Sequence, residues 1–326
     1  MGTALKTLLA LCIAFAGDAA AQAYPAAGQA YPTKPIRILL SSSAGGSPDI
    51  QTRLFTQKMS EAQNYVWVIE HVPGAGGNIA PDRVAKSAPD GYTLLVASAG
   101  PLYINPSLYQ KLPYDIVRDF EHITQIAHTP NILALHPSVP LNTVQELIAY
   151  ARANPGKLRF GSAGSGSSQH LSGELFKTMA GVDMEHIPYK SSSQMTNELI
   201  GGQIELSFQN APLVLPHVKS GKLKALAVTS KARLPAAPEL PTIDGSGLPG
   251  YESGGGTGLL APKGTPPAIV KKLETDARVA ISAVRDQYAA NGLIPVGNSS
   301  AEFAAALKAE IARLAPIVRA SGAKVE

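Results

Sequence analysis

Phe160-Gly161-Ser162-Ala163-Gly164-Ser165-Gly166-Ser167-Ser168-Gln169-His170-Leu171 is the stretch on which the fold turns. The short apolar run Leu158-Arg159-Phe160 before it reads as a strand, and Leu171, Leu175, Phe176 and Met179 after it recur at helical spacing. Between them lie only small residues. A strand, a Gly/Ser loop and a helix leave free backbone N–H groups at a helix N-terminus, where negative charge is favoured. Glycine lets the backbone approach a ligand closely, and serine adds hydroxyl donors. Ser162, Ala163, Gly164, Ser165, Gly166 and Ser167 are therefore candidate anion contacts. His170 is either a contact or a packed first-turn residue.

The same design occurs twice more. Ser41-Ser42-Ser43-Ala44-Gly45-Gly46-Ser47-Pro48-Asp49 follows the strand Ile36–Leu40, with Ser47 as expected N-cap, Pro48 at the first helical position and a helix to about residue 60. Ser43, Ala44, Gly45 and Gly46 are its candidate contacts. Asp49 is either a first-turn cap or a group that meets an amine, hydroxyl or water of the ligand. Pro73-Gly74-Ala75-Gly76-Gly77-Asn78 follows a strand at 65–70 and makes Gly76 and Gly77 either contacts or plain turn residues. In open α/β sheets such loops gather at the carboxyl ends of the strands, where ligands bind. Strand ends add Ser98 after 92–97 and Asn210 after 204–208. Tyr189 and Lys190 precede a further helix, with Lys190 either a cleft cation or an ordinary exposed lysine.

Elsewhere the chain alternates strands and helices, which predicts α/β architecture with parallel sheets. Extended runs at 122–127 and 131–136 flank Thr129-Pro130, where the chain crosses to a second lobe. Thr143-x-x-Glu146 and Ser299-x-x-Glu302 are capping boxes. Residues 235–250 are rich in Pro and Gly and read as a return linker, 258–261 as a short apolar run, and 268–291 as a long helical region with a break near Ser282. The expected lobes are 31–128 with 230–326, and 129–229.

Composition bounds the chemistry. With 326 residues and 45% hydrophobic content, two domains are expected. Residues 1–23 read as a cleaved export leader: Lys6, an apolar core at 8–16, and Ala21-Gln22-Ala23 as the cut, leaving an extension at 24–30. Cys12, the one cysteine, lies inside that leader. The net charge of +4 comes without a dense basic run, which argues against nucleic acid. Enzyme signatures fail as well. Ala163 stands where a G-x-S-x-G elbow needs serine, Gln169 stands where a dinucleotide loop needs its third glycine, and the seven histidines form no H-E-x-x-H. No cofactor, metal or catalytic residue is expected.

Tyr31-Pro32-Thr33-Lys34-Pro35-Ile36-Arg37-Ile38, Gly45-Gly46-x-x-Asp49, Pro89-Asp90-Gly91-Tyr92-Thr93-Leu94-Leu95, Gly161-Ser162-Ala163-Gly164-x-Gly166-Ser167 and Gly221-Lys222-Leu223-Lys224-Ala225-Leu226-Ala227 follow one another in an order that resembles a known family. It is that of the periplasmic solute-binding proteins of tripartite tricarboxylate transporters, the Bug family. The resemblance covers nearly the whole mature chain. It implies a two-lobed periplasmic binding protein fold, each lobe a mainly parallel sheet flanked by helices, with the ligand cleft between them. It implies a monomer that captures a dicarboxylate, tricarboxylate, acidic amino acid or aromatic acid for membrane permease subunits. Presentation of the ligand to a sensor, rather than a permease, is the alternative; a secreted hydrolase is the other. Two departures bear on the ligand: Ser191-Ser192-Ser193 replaces the glycine that usually follows Pro-Tyr-Lys, and Gly256 stands near a position commonly held by Trp.

Overall fold

The computed structural model describes residues 31–321 and 323, so the leader read at 1–23 and the extension at 24–30 lie outside the described residues. In chain order the elements are β1 (Ile36–Leu40), α1 (Ser47–Gln63), β2 (Trp67–His71), α2 (Ile79–Ala85), β3 (Thr93–Ala97), α3 (Asn105–Leu108), β4 (Phe120–Thr129), β5 (Asn131–Leu135) and α4 (Val144–Ala153). They continue with β6 (Arg159–Ser162), α5 (Ser168–Ala180), β7 (Glu185–Pro188), α6 (Ser192–Ile200), β8 (Leu206–Asn210), α7 (Ala211–Lys219) and β9 (Lys224–Val228). The chain closes with β10 (Gly255–Pro262), α8 (Pro267–Ala283), α9 (Arg285–Ala290), β11 (Ile294–Pro295) and α10 (Ser300–Ala320).

Two sheets result, in the orders β11-β4-β10-β3-β1-β2 and β7-β6-β8-β5-β9. Parallel pairing is confined to β2–β1–β3 and β7–β6–β8. The expectation of mainly parallel sheets is corrected to mixed ones, because β10 and β5 run antiparallel to their neighbours. These are the strands by which the chain, having just crossed between sheets, leaves the cleft. They must run against strands that end there.

Strand β5 is buried on both faces. Leu133 and Leu135 pack with Phe160, Phe176, Leu206 and Phe208, while Ile132 and Ala134 pack with Met195, Leu199 and Val214 on the opposite side. That is the two-residue alternation of a central strand. The first sheet has its own core around Leu39, Leu95, Leu260, Phe303 and Leu307. The chain passes from the first sheet to the second at Pro130, between β4 and β5. The return does not fall at residue 230. Leu234, Ala237 and Leu240, then Ile243, Leu248 and Tyr251, pack in the cores of the second sheet, so the chain returns only after residue 251.

Three local expectations are also revised. The residue before α1 is Gly46, and Ser47 is already helical; the side chain that ties down the entry is Asp49, which accepts from Gly45 N–H at 2.9 Å. Thr143 caps α4, but Glu146 reaches back to Asn142 N–H instead of completing the box. Ser299 and Glu302 do complete theirs. Finally, the run at 258–261 is only the end of an eight-residue strand, β10. Its glycines hide it from propensity reading, and they are required: a Cβ at Gly258 would overlap the Phe303 ring, and one at Gly256 would stand 2.7 Å from the Tyr103 hydroxyl.

Candidate functional site

The loops after β1, β2, β3, β6 and β7, with the ends of β4 and β8 and the start of β10, line one cleft of about 860 Å³ between the two sheets. That volume suits a small organic molecule. Ser43, Ala44, Gly46, Gly76, Gly77, Ser98, Ala163, Gly164, Ser165, Gly166, Ser167, Tyr189, Lys190 and Asn210 all line it. Among the described residues, Lys190 is exposed and is the only cationic side chain in the lining, and no carboxylate side chain is present there. The helices α1, α5, α6 and α7 all begin at the cleft, so the positive ends of their dipoles are directed at it.

The loops before α1 and α5 are built alike. In the first, Gly46 N–H donates to Ser43 O (3.3 Å) and Gly45, at φ +73°, donates to the Asp49 carboxylate. In the second, Ser167 N–H donates to Gly164 O (3.2 Å) and Gly166, at φ +82°, donates to His170 Nδ1 (3.3 Å). Each is one tight turn whose left-handed glycine is tied to the side chain four residues on. Among the described residues, no protein acceptor takes the N–H of Ala44, Ser165 or Ser168, and all three line the cleft. The strand orders β2–β1–β3 and β7–β6–β8 repeat around these loops.

Four candidates therefore stand behind the cleft wall. Gly45 is tied to Asp49, and Asp49 is buried between Gly45, Arg53 (2.9 Å) and His71 (3.0 Å). Burial pushes the Asp49 carboxyl up, but the Gly45 amide, His71 and Arg53 outweigh it and hold the group below its ordinary value. Ser162 is fully buried; its hydroxyl accepts from Gly164 N–H (3.1 Å) and shares a hydrogen bond with His186 Nε2 (2.6 Å). His170 stacks on His186 with ring centroids 4.1 Å apart, and His186 stacks on Phe160 at 4.9 Å. Burial, then Lys177, lowers His170 to about 4; burial, then His170 and Lys177, lowers His186 to about 3.

These shifts fix a pH dependence. Both folded values lie below the roughly 6.5 of an unfolded histidine, so the unfolded chain takes up protons first as pH falls. Stability contributed by the neutral pair is complete above that value and is lost on descent toward about 4 and then about 3. The slope approaches ~1.4 kcal/mol per pH unit for each imidazole. His186→Gln is expected to flatten the melting temperature between pH 6.5 and 5; an unchanged slope rejects the assignment.

Asn210 lines the cleft with its amide already engaged: it accepts from Gln169 (3.0 Å) and donates to Asn131 (2.7 Å). Sequence reasoning missed Ser42, whose buried hydroxyl has no partner among the described residues, and Tyr109, which reaches the lining from α3's end. It also missed Ser192, Ser193, Gly255 and Thr257. Ser42 lay inside a stretch already singled out. Tyr109 carried no local signal, because only packing brings it to Gly76. At Gly256 the neighbouring space is taken from behind by Tyr103, so the position is not simply an enlarged pocket. Among the described residues no cluster of three His, Cys, Asp or Glu could hold a metal.

The sequence profile of the tripartite tricarboxylate transporter family receptor, TctC, matches residues 52–323. Protein BugT of Bordetella pertussis is 35% identical over 327 residues, covering 99% of each chain. The solved structure of R. palustris Rpa4515 with adipate superposes with a TM-score of 0.87 at 35% identity, covering 91% of this chain and 100% of that one. MatC from Rhodopseudomonas palustris with bound malate gives 0.82 at 30% identity, covering 88% and 100%. With two mixed sheets facing a carboxylate-free cleft and this match over most of its length, the chain belongs to the TctC family of tripartite tricarboxylate transporter receptors.

Proposed function

We propose that this chain captures a small organic acid in the periplasm and hands it to the membrane subunits of a tripartite tricarboxylate-type transporter. The observation that carries this reading is the pair of like-built loops, 43–49 and 164–170, one from each sheet, both facing a cleft lined by several serines and free of acidic side chains. Unpaired amides and hydroxyls there suit a carboxylate at each side. Relatives solved with adipate and with malate support the ligand class. The family is one of solute-binding proteins, and the cleft chemistry is that of reversible capture: contacts from both sheets favour the liganded, closed state by differential affinity.

A thermal-shift screen over aliphatic dicarboxylates, hydroxy acids, tricarboxylates, acidic amino acids and aromatic acids tests this. A ligand at a hundredfold its Kd stabilises by about 2.7 kcal/mol, a rise of several degrees for a chain of this size. If no organic acid moves the melting temperature, the reading fails.

A further inference from the structure

The binding loop of the second sheet rests on two stacked imidazoles that the cleft never touches. Gly166 N–H donates to His170 Nδ1, His170 lies on His186, and His186 meets Ser162, whose hydroxyl also receives Gly164 N–H. Two alternate amides of the loop, at 164 and 166, are thus turned inward. That leaves Ser165 and Ser168 N–H facing the cleft. In the first sheet the same place is held by Asp49, a carboxylate that accepts in the same way from Gly45.

We propose that His170, braced by His186 and Ser162, is the positioning residue that sets the 163–168 loop in its ligand-gripping shape, and that it does so only as the neutral imidazole. A protonated Nδ1 cannot accept from Gly166 N–H; two N–H groups would then face one another across the present contact. A cationic ring would also stand on His186, which is itself still neutral. The charged groups around the pair add no compensating acid. Lys177 of α5 lies near, paired with Glu174 at 3.1 Å. Glu185 of β7 is exposed, Arg159 of β6 is bound to Glu205, and on α10 Arg313 is bound to Glu310. A bound carboxylate would itself attract a protonated ring, the opposite sign. The geometry favours the first effect, because the ring sits behind the loop and its lone pair, not its charge, shapes the site. In the first loop the acceptor is a carboxylate instead, which the Gly45 amide, His71 and Arg53 hold below its ordinary value.

The inference rests on the proposed function, and the tests separate the two. In ligand-free protein labelled with ¹⁵N, the Gly166 amide should titrate with the midpoint of the His170 ring signals. That readout needs no ligand. With adipate as probe, His170→Leu is expected to lose at least about tenfold in affinity, and His170→Asn, whose carbonyl can accept from Gly166, to recover most of it. On acidification, wild-type affinity should fall more steeply than that of His170→Asn; the acid's own protonation is common to both and cancels. A Gly166 amide that ignores His170, unaltered binding in His170→Leu, or a wild-type affinity that gains on the Asn variant in acid would each overturn the proposal. Should His170→Leu not fold, the amide titration and the Asn comparison still decide. Failure of the wild-type chain to bind any acid defeats the functional reading instead, while the amide titration continues to test the brace.

Discussion

If the cleft takes an organic acid as proposed, Gly166→Ala is expected to weaken its binding, with adipate as the probe, by at least ~100-fold, equivalent to about 2.7 kcal/mol. Two effects add. Gly166 sits at φ +82°, a region that costs an L-residue roughly 1–2 kcal/mol. The new Cβ would also stand 2.7 Å from Asn105 Oδ1 and 3.0 Å from Leu108 Cδ2. Those atoms belong to α3, in the segment after β3 of the first sheet. The methyl group therefore wedges the loops of the two sheets apart where Gly166 and Gly100 now meet backbone to backbone. Gly164→Ala is the control. Its φ of +100° carries similar strain, but its Cβ would meet only Tyr189 O, at an ordinary 3.5 Å. Calorimetric titration of both variants should show the larger loss at 166. Equal losses would mean that backbone strain alone matters; wild-type affinity in both would remove the loop from the site.

The second large effect is on stability. Gly173 lies mid-helix in α5, where replacement of glycine by alanine ordinarily stabilises by up to ~1 kcal/mol. Here the sign should invert. A Cβ at this position overlaps the Phe160 ring, with Cδ2 at 2.6 Å and Cζ at 2.8 Å. Phe160 is fully buried and stacked on His186, so it cannot step aside without disturbing the imidazole pair. Overpacking of this kind costs roughly 1–3 kcal/mol, and Gly173→Val should reach the upper end or exceed it. At about 2–4 °C per kcal/mol, Gly173→Val melts roughly 5–10 °C below wild type. Phe160→Leu combined with Gly173→Ala should recover part of the loss by removing ring atoms. A Gly173→Ala variant as stable as wild type would show that the ring has room to move.

Several features were legible locally. Small-residue runs at 41–47, 73–77 and 161–168 stand between apolar strands and helically periodic segments, and part of each lines the cleft, although Gly161 and Ser162 are the end of β6 and lie behind it. Pro130, with no N–H to give a ladder, marks the passage between sheets. Other features were not. The strand β10 begins on Gly255 and Gly256, which read as linker because strand propensity measures the side chain's fit, and here the fit is supplied by Tyr103 and Phe303 from elsewhere in the chain. The segment 230–251 reads as a connector by its prolines and glycines, yet Leu234, Leu240 and Tyr251 bury it on the second sheet. The residues of 43–49 and 164–170 showed a common strand–loop–helix design, but the shared turn, with its glycine amide tied to the side chain four residues on, lives in backbone geometry. Only the left-handed glycine and the serine two residues on are shared in type, and the anchors differ as Asp49 and His170.

The residues alone determined where amide-bearing loops would occur, since glycine and serine between a strand and a helix leave N–H groups unpaired whatever the surroundings. Which of those amides face the ligand was decided by tertiary structure. A first-turn side chain such as Asp49 or His170 can point into a cleft or behind it, and burial against Arg53 and His71 in one case, and on His186 in the other, turned both away.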